Sequence, residues 1–420
     1  MVLGLLMQAC EPETVVITPD DTPPTSVDKP DNPSEPQKPA EPAGPVIPAE
    51  MTALPYVYIY TPNGVGVTSK EKWLEKASII IRDDKGEILY KAENMNIRGR
   101  GNTNWWYPKK PYAIKLYEKA DFFGTGKSRK WVLMANWMDR TLLRNVVAFE
   151  AARRTSIDWT PTGRFVELYM DGQHLGLYWL GEKINVEGSK FEADYLYSFD
   201  TSDGSETDFY DEGTFCANSW SYGAPVEVKY PDRDNYQNGK FDAVVKQAKL
   251  KLKAMTDGIS GGTLNQIDVD SFCDWYLVHE LTFNLEPNHP KSCFFHWRKD
   301  KMYAGPVWDF DWYTYIPEEQ NLGIKNALWY NKLLNNATFK ARLKVRWAEL
   351  KPRFETLPDF VDAQAELIRA SEAVNNKMWP LENNSWINGD ENMSFQEAVD
   401  RMKLGITNRI AVLDREIPAL

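Results

Sequence analysis

Two stretches joined by a short hairpin say most about how this chain folds: Asn284-Leu285-Glu286-Pro287-Asn288-His289-Pro290-Lys291, and Gly305-Pro306-Val307-Trp308-Asp309-Phe310-Asp311-Trp312. Between them Phe294–Arg298 and Met302–Trp308 read as two short strands. A loop acid, a hairpin and an acid beside an aromatic are the parts that phosphoryl transfer requires. One carboxylate orients the attacking hydroxyl, and another holds a divalent cation against the phosphates. Glu286 and Asp309 are 23 residues apart, a gap that the hairpin can close. If the strand keeps its pleat, Asp309 and Asp311 point the same way and could share a metal. A buried acid capping a loop, or a calcium site, fits the same residues.

Outward from this segment, the second half of the chain is mainly helical. Phe241–Met255 and Val269–Leu281 have helical spacing, the latter opened by Asp268 or Asp270. After the hairpin the rest is mostly helix, and Ser394 with Glu397 forms a capping-box pattern opening the last one. The first half is mainly strand. Tyr56–Tyr60, Ser78–Ile81 and Ile88–Tyr90 are expected strands, with Asp83-Asp84-Lys85-Gly86 as a turn. In Pro111–Tyr117, Tyr112, Ile114 and Leu116 share one face, while Ala113, Lys115 and Tyr117 share the other. Asp139 can cap a helix carrying Leu142, Val146 and Phe149, with Asn145 on its apolar side and in want of a buried partner. Phe165–Met170 and Leu175–Leu180, joined at Asp171-Gly172, form a hairpin.

The 420 residues are enough for one large domain or two ordinary ones. Residues 11–50 carry nine acids against two bases, so −7 of the net charge of −11 lies there and about −4 on the rest. A near-neutral body without a basic stripe excludes nucleic acid as a partner, because phosphate contacts need clustered Lys and Arg. The same segment holds 11 of the 26 prolines and reads as an extended, disordered tether. Before it, residues 1–10 form an apolar run ending in Ala9-Cys10, like the end of a bacterial lipoprotein signal with Cys10 as the lipidated residue. The basic opening of such a signal is missing, which places the expected start of the protein further upstream. No other apolar run approaches the ~18 residues of a spanning helix. Cys216, Cys273 and Cys293 lack metal-ligand spacing and read as buried apolar residues, with one disulfide among them left open. His174, His279, His289 and His296 show no ligand spacing either, so zinc is not expected.

Further candidate residues flank a glycine pair in Arg98-Gly99-Arg100-Gly101-Asn102, followed by Lys110-Pro111-Tyr112 to Lys115. The glycines would let backbone approach an anion, Arg98 and Arg100 would supply charge, and Lys115 could enter a cleft. A plain turn beside a surface lysine fits equally. Glu182 ends the run Gly176-Leu177-Tyr178-Trp179-Leu180-Gly181, as an acid near a ligand or as a partner of Lys183.

Taken with Trp131 to Asn145 and Val228-Lys229-Tyr230-Pro231, these stretches occur in the order of the CotH kinase family over about residues 94–350, and the chain resembles that family. The resemblance implies an α+β, atypical protein-kinase-like fold over residues 51–420. Its mainly β N-lobe would span about 51–185 and its mainly α C-lobe 186–420. It implies ATP with Mg2+, Mn2+ or Ca2+ being other ions such acids take, and transfer of phosphate to Ser on secreted or surface proteins. By the same implication Asp309, with Asp311 and Glu286, holds metal, while Arg98, Arg100, Lys115 and Glu182 serve the nucleotide. Glu286 stands where the spore-coat members carry Asp, and one extra methylene disturbs positioning on which phosphoryl transfer depends. The expectation is therefore an extracytoplasmic, lipid-anchored protein serine kinase. Its competitor is a non-catalytic surface module that binds glycan or protein on the same scaffold.

Overall fold

Alternating apolar residues build the first half of the molecule, as the strand patterns predict. In the computed structural model, which describes residues 54–186, 191–202, 206–214, 223–381 and 386–420, this half is made of seven strands. They are β1 (Tyr56–Tyr60), β2 (Leu74–Arg82), β3 (Ile88–Gly99), β4 (Tyr112–Ala120), β5 (Ser128–Met134), β6 (Gly163–Met170) and β7 (Gln173–Glu182). The strands close into a barrel in the order β1-β2-β3-β4-β5-β7-β6, sealed by a parallel pairing of β1 with β6. Every second side chain fills the interior: Ile79, Ile97, Ile114, Trp131, Leu133 and Leu180 are among them. The β6–β7 hairpin turns at Asp171 and Gly172, whose φ angles of 49° and 81° are those of the tight turn that matches strand twist.

The expected signal run (1–10) with Cys10, the tether (11–50) and Cys216 lie outside the described residues. Two expectations need correction. A closed barrel is not the open sheet of a typical kinase lobe; β3 runs to Gly99 rather than ending near Tyr90, and so carries the sheet around. The second region, expected to be mainly helical with one hairpin, also carries more strand than that. It holds a five-stranded antiparallel sheet ordered β12-β11-β8-β10-β9. Its strands are β8 (Tyr195–Phe199), β9 (Phe209–Asp211), β10 (Ala224–Tyr230), β11 (Cys293–Arg298) and β12 (Lys301–Ala304). The broad outline holds nonetheless: a β-rich N-terminal region precedes a helical C-terminal one.

Between β5 and β6 lies α1 (Arg144–Arg153), and the C-terminal region carries α2 (Phe241–Ser260), α3 (Val269–Thr282), α4 (Tyr330–Leu333), α5 (Ala337–Phe354), α6 (Leu357–Met378) and α7 (Phe395–Ala419). Asp268 caps α3 by accepting from the Ser271 amide, and Ser394 and Glu397 form the expected capping box of α7. Asp139 does not cap α1 in the ordinary register. The chain makes a further turn first, and the Asp139 carboxylate takes the Arg144 amide from five residues upstream at 2.8 Å. α3 is buried almost all round and forms the axis of the main core. That core joins the outer barrel wall, the second sheet and the helices. Cys273 and Cys293 are buried free thiols, so no disulfide joins them.

Candidate active site

The loop after α3 and the loop after β12 meet because one side chain ties them together. Asn284 is buried, its Nδ2 donates to the Asp309 carbonyl at 2.9 Å, and its Oδ1 accepts from the Glu286 amide at 3.0 Å. The next residue after Asp309 is held from another side: the Phe310 amide donates to Asn145 Oδ1 on α1 at 2.8 Å. The apolar-face Asn145 thus finds its partner in the backbone of the acidic segment. Phe310 itself is fully buried against His279 of α3. Glu286, Asp309 and Asp311 are consequently fixed on a framework of buried polar ties.

Asp309 and Asp311 come together, but not through a pleated strand. Residues 305–311 follow β12 without strand pairing, and Asp309 adopts a left-handed φ of 69°. The turned backbone still brings the two carboxyls into a shared hydrogen bond. Ser292 donates to Asp309 Oδ2 at 3.1 Å. Burial raises both acids above the usual carboxylate range, and repulsion from Asp309 raises Asp311 further. Burial, then Asp309 and Asp311, pushes Glu286 well above its ordinary value, and its Oε2 is buried without a hydrogen-bond partner. Asp200, at the end of β8, adds charge to the same group. Sequence reasoning passed over Asp200, whose only signal is its place just after a strand that pairs with β11.

Arg100 faces these acids, attracted by both Asp309 and Asp311, and its guanidinium lies 5.4 Å over the Trp308 ring. It also lines a pocket with Asp311, Asn104, Tyr107 and Trp137. The glycines beside it serve packing more than anion approach. A Cβ on Gly99 would stand 2.2 Å from the Trp105 ring, and Gly101 has a φ of 80°. Arg98 donates to the Glu71 carbonyl at 3.4 Å and lies over Trp73, away from the acids.

Strand parity separates the two remaining candidates. Glu182 opposes Trp131, so it takes the barrel's inner side, where it accepts from the Thr162 amide and hydroxyl at 3.2 and 2.6 Å. It is buried and closes the barrel end instead of facing a nucleotide, which corrects the expectation placed on it. Lys115, opposite Asn96 and Lys130, lies on the outer wall. There it stands directly across from Lys130 of β5.

Could these residues hold a metal? The donor set is all carboxylate oxygen, which suits Mg2+ or Mn2+, and an unpartnered Glu286 oxygen beside two crowded acids is the environment a cation relieves. Among the described residues no group of three or more His, Cys, Asp or Glu is arranged as a ready-made metal cage.

A family model described as CotH kinase protein matches residues 97–413. No curated protein matches the chain.

Proposed function

The chain belongs to the CotH kinase family, and from that premise we propose that it is a surface-tethered protein serine kinase acting outside the cytoplasm. The observation that carries this reading is the meeting of Glu286, Asp309 and Asp311 opposite Arg100. The family points in general to ATP and a divalent ion. A bound ion would neutralise the acids and the phosphate charge. Asp309 and Asp311 are the residues to hold it, with Asp200 contributing field. Glu286 then orients the acceptor hydroxyl and takes its proton. Its raised pKa suits a proton acceptor, provided that neighbouring positive charge leaves it ionised before the hydroxyl arrives. Arg100 stands ready for the charge that spreads over the transferred phosphoryl group.

Labelled ATP supplied with Mg2+ or Mn2+ should label the protein or Ser-rich peptides, and Asp309→Ala should abolish it by at least about 100-fold. Absence of labelling by the unaltered protein in either metal would remove the kinase reading. A second reading, a non-catalytic module for glycan or protein, is favoured by two exposed aromatics. Trp106 is 78% exposed and Trp312 43%, and each adjoins a pocket residue, Tyr107 or Asp311. Glycan or cell-surface binding that survives Asp309→Ala would favour it.

A further inference from the structure

The backbone of the acidic segment is bent beyond what its residues prefer. Asp309, Tyr313 and Tyr315 all take left-handed φ angles, of 69°, 48° and 56°. Residues with a Cβ disfavour that region, so such a run persists only where surrounding contacts impose it. Asn284 and Asn145 hold its first part, at the Asp309 carbonyl and the Phe310 amide. Neither of those bonds is made to Asp311 or to the turn beyond it.

The later part is held by the connection between α6 and α7, which sequence reasoning left without a role. Asn388 and Asp390 stand there, and both are fully buried. The Asn388 side-chain amide is used at both ends. Its Nδ2 donates to the Asp311 carbonyl at 3.1 Å, and its Oδ1 accepts from the Thr314 amide at 3.4 Å. Asp390 acts through a second residue: it accepts from Arg144 Nη2 at 2.7 Å, while Arg144 Nη1 donates to the Thr314 carbonyl. The Asp139 carboxylate, 3.2 Å from Arg144 Nε, steadies that guanidinium, and Thr314 Oγ1 closes the turn on the Phe310 carbonyl at 2.7 Å. Asn388, Thr314, Arg144, Asp139 and Asp390 are all buried, so a bond lost among them is not replaced by water. Two jobs separate here. The Arg144–Asp390 pair fixes the turn at Thr314, whereas Asn388 is bonded to the main chain of Asp311 itself.

We propose that Asn388 is a positioning residue for the acidic site: it holds the Asp311 main chain in the strained turn, so that the Asp311 carboxyl meets that of Asp309 and the pair can share a divalent ion. The proposal rests on the reading of Asp309 and Asp311 as the residues that hold such an ion. Contacts one step behind a ligand fix its orientation, and their removal costs about 10–100-fold in metal affinity or activity.

The test is binding of Mn2+ alone to the full chain, read from the electron paramagnetic resonance of the free ion, for the unaltered protein, Asn388→Ala and Ser394→Ala. Ser394→Ala removes the cap of α7 and so lowers stability close by, without touching the acidic segment. Asn388→Ala should weaken Mn2+ by about tenfold or more. Ser394→Ala should melt lower and yet bind Mn2+ as the unaltered protein does. In phosphate transfer, Asn388→Ala should need correspondingly more Mn2+ for half its maximal rate, with KM for the acceptor peptide unchanged. Coupling between the ion and the hold is reciprocal. Mg2+ should therefore slow hydrogen exchange of the unaltered protein in residues 386–393, which include none of Glu286, Asp309 and Asp311. That measurement decides the matter even where Asn388→Ala does not fold. Equal Mn2+ affinity in folded Asn388→Ala and the unaltered protein, or exchange at 386–393 indifferent to Mg2+, would overturn the role of Asn388 and leave the ion site standing. An unaltered protein that binds no Mn2+ would overturn both.

Discussion

Asp311 shows how the site trades stability for charge. Its carboxyl is raised well above 3.8 by burial and by Asp309 beside it. A carboxyl with a raised pKa in the folded state contributes stability that is complete below its unfolded pKa and is lost as pH rises through the folded value. Above that window the fold must hold two neighbouring negative charges. Asp311→Asn should therefore melt higher than the unaltered protein at about pH 8 with chelator present, by about 2 °C or more, and the gap should close near pH 4. Adding Mg2+ at the higher pH should raise the melting point of the unaltered protein alone. Calorimetric melting curves at the two pH values would show this, and a gap of the same size at both would contradict the electrostatic account.

Among the elements, α3 and the segment after β12 are joined through the loop residue Asn284, and α1 adds a second hold through Asn145. Asn284→Ala leaves the Asp309 carbonyl and the Glu286 amide without partners in a buried setting. Each orphaned group costs about 1–3 kcal/mol, and the two acids lose their common anchor. The expected outcome is a loss of about 2–4 kcal/mol in denaturant unfolding, together with a fall in kcat larger than any change in KM for ATP. Unchanged kcat in a folded variant would mean that Glu286 and Asp309 keep their spacing without this tie. Such ties were only half legible. The chain announced Glu286, Asp309 and Asp311 as a loop acid, then a hairpin, then acids flanking Phe310. It also announced β1, β6, β7, α3 and the capping box of α7, where period and caps agree. Asn284 was invisible as a clamp, because its partner Asp309 lies 25 residues away along the chain and nothing local distinguishes it from a loop asparagine. Glu182 misled because a one-residue shift exchanges the two faces of a strand.

At the scale of the whole molecule, closure of the barrel was out of reach of periodicity, since β1 and β6 pair in parallel across more than a hundred residues and the alternating pattern of an edge strand looks the same as that of a closed one. The second sheet was hidden for a related reason: β9 and β12 are too short to show a period, and β8 finds its partners in β10 and β11 on either side. Composition speaks more clearly about the ends of the chain. Residues 11–50, acidic and rich in proline, would span on the order of 100 Å if extended at ~3.1 Å per residue. We propose that a lipid on Cys10, at the end of the apolar run, fixes the far end of this segment. We expect cells fed labelled palmitate to incorporate it into the unaltered protein but not into Cys10→Ala, and detergent-phase partitioning to be lost in the same variant. Two acyl signals are needed for stable anchoring where one is marginal, so a diacylated cysteine would hold the protein through washing in high salt. Label retained by Cys10→Ala, or an unaltered protein that partitions wholly into the aqueous phase, would overturn the proposed membrane anchor.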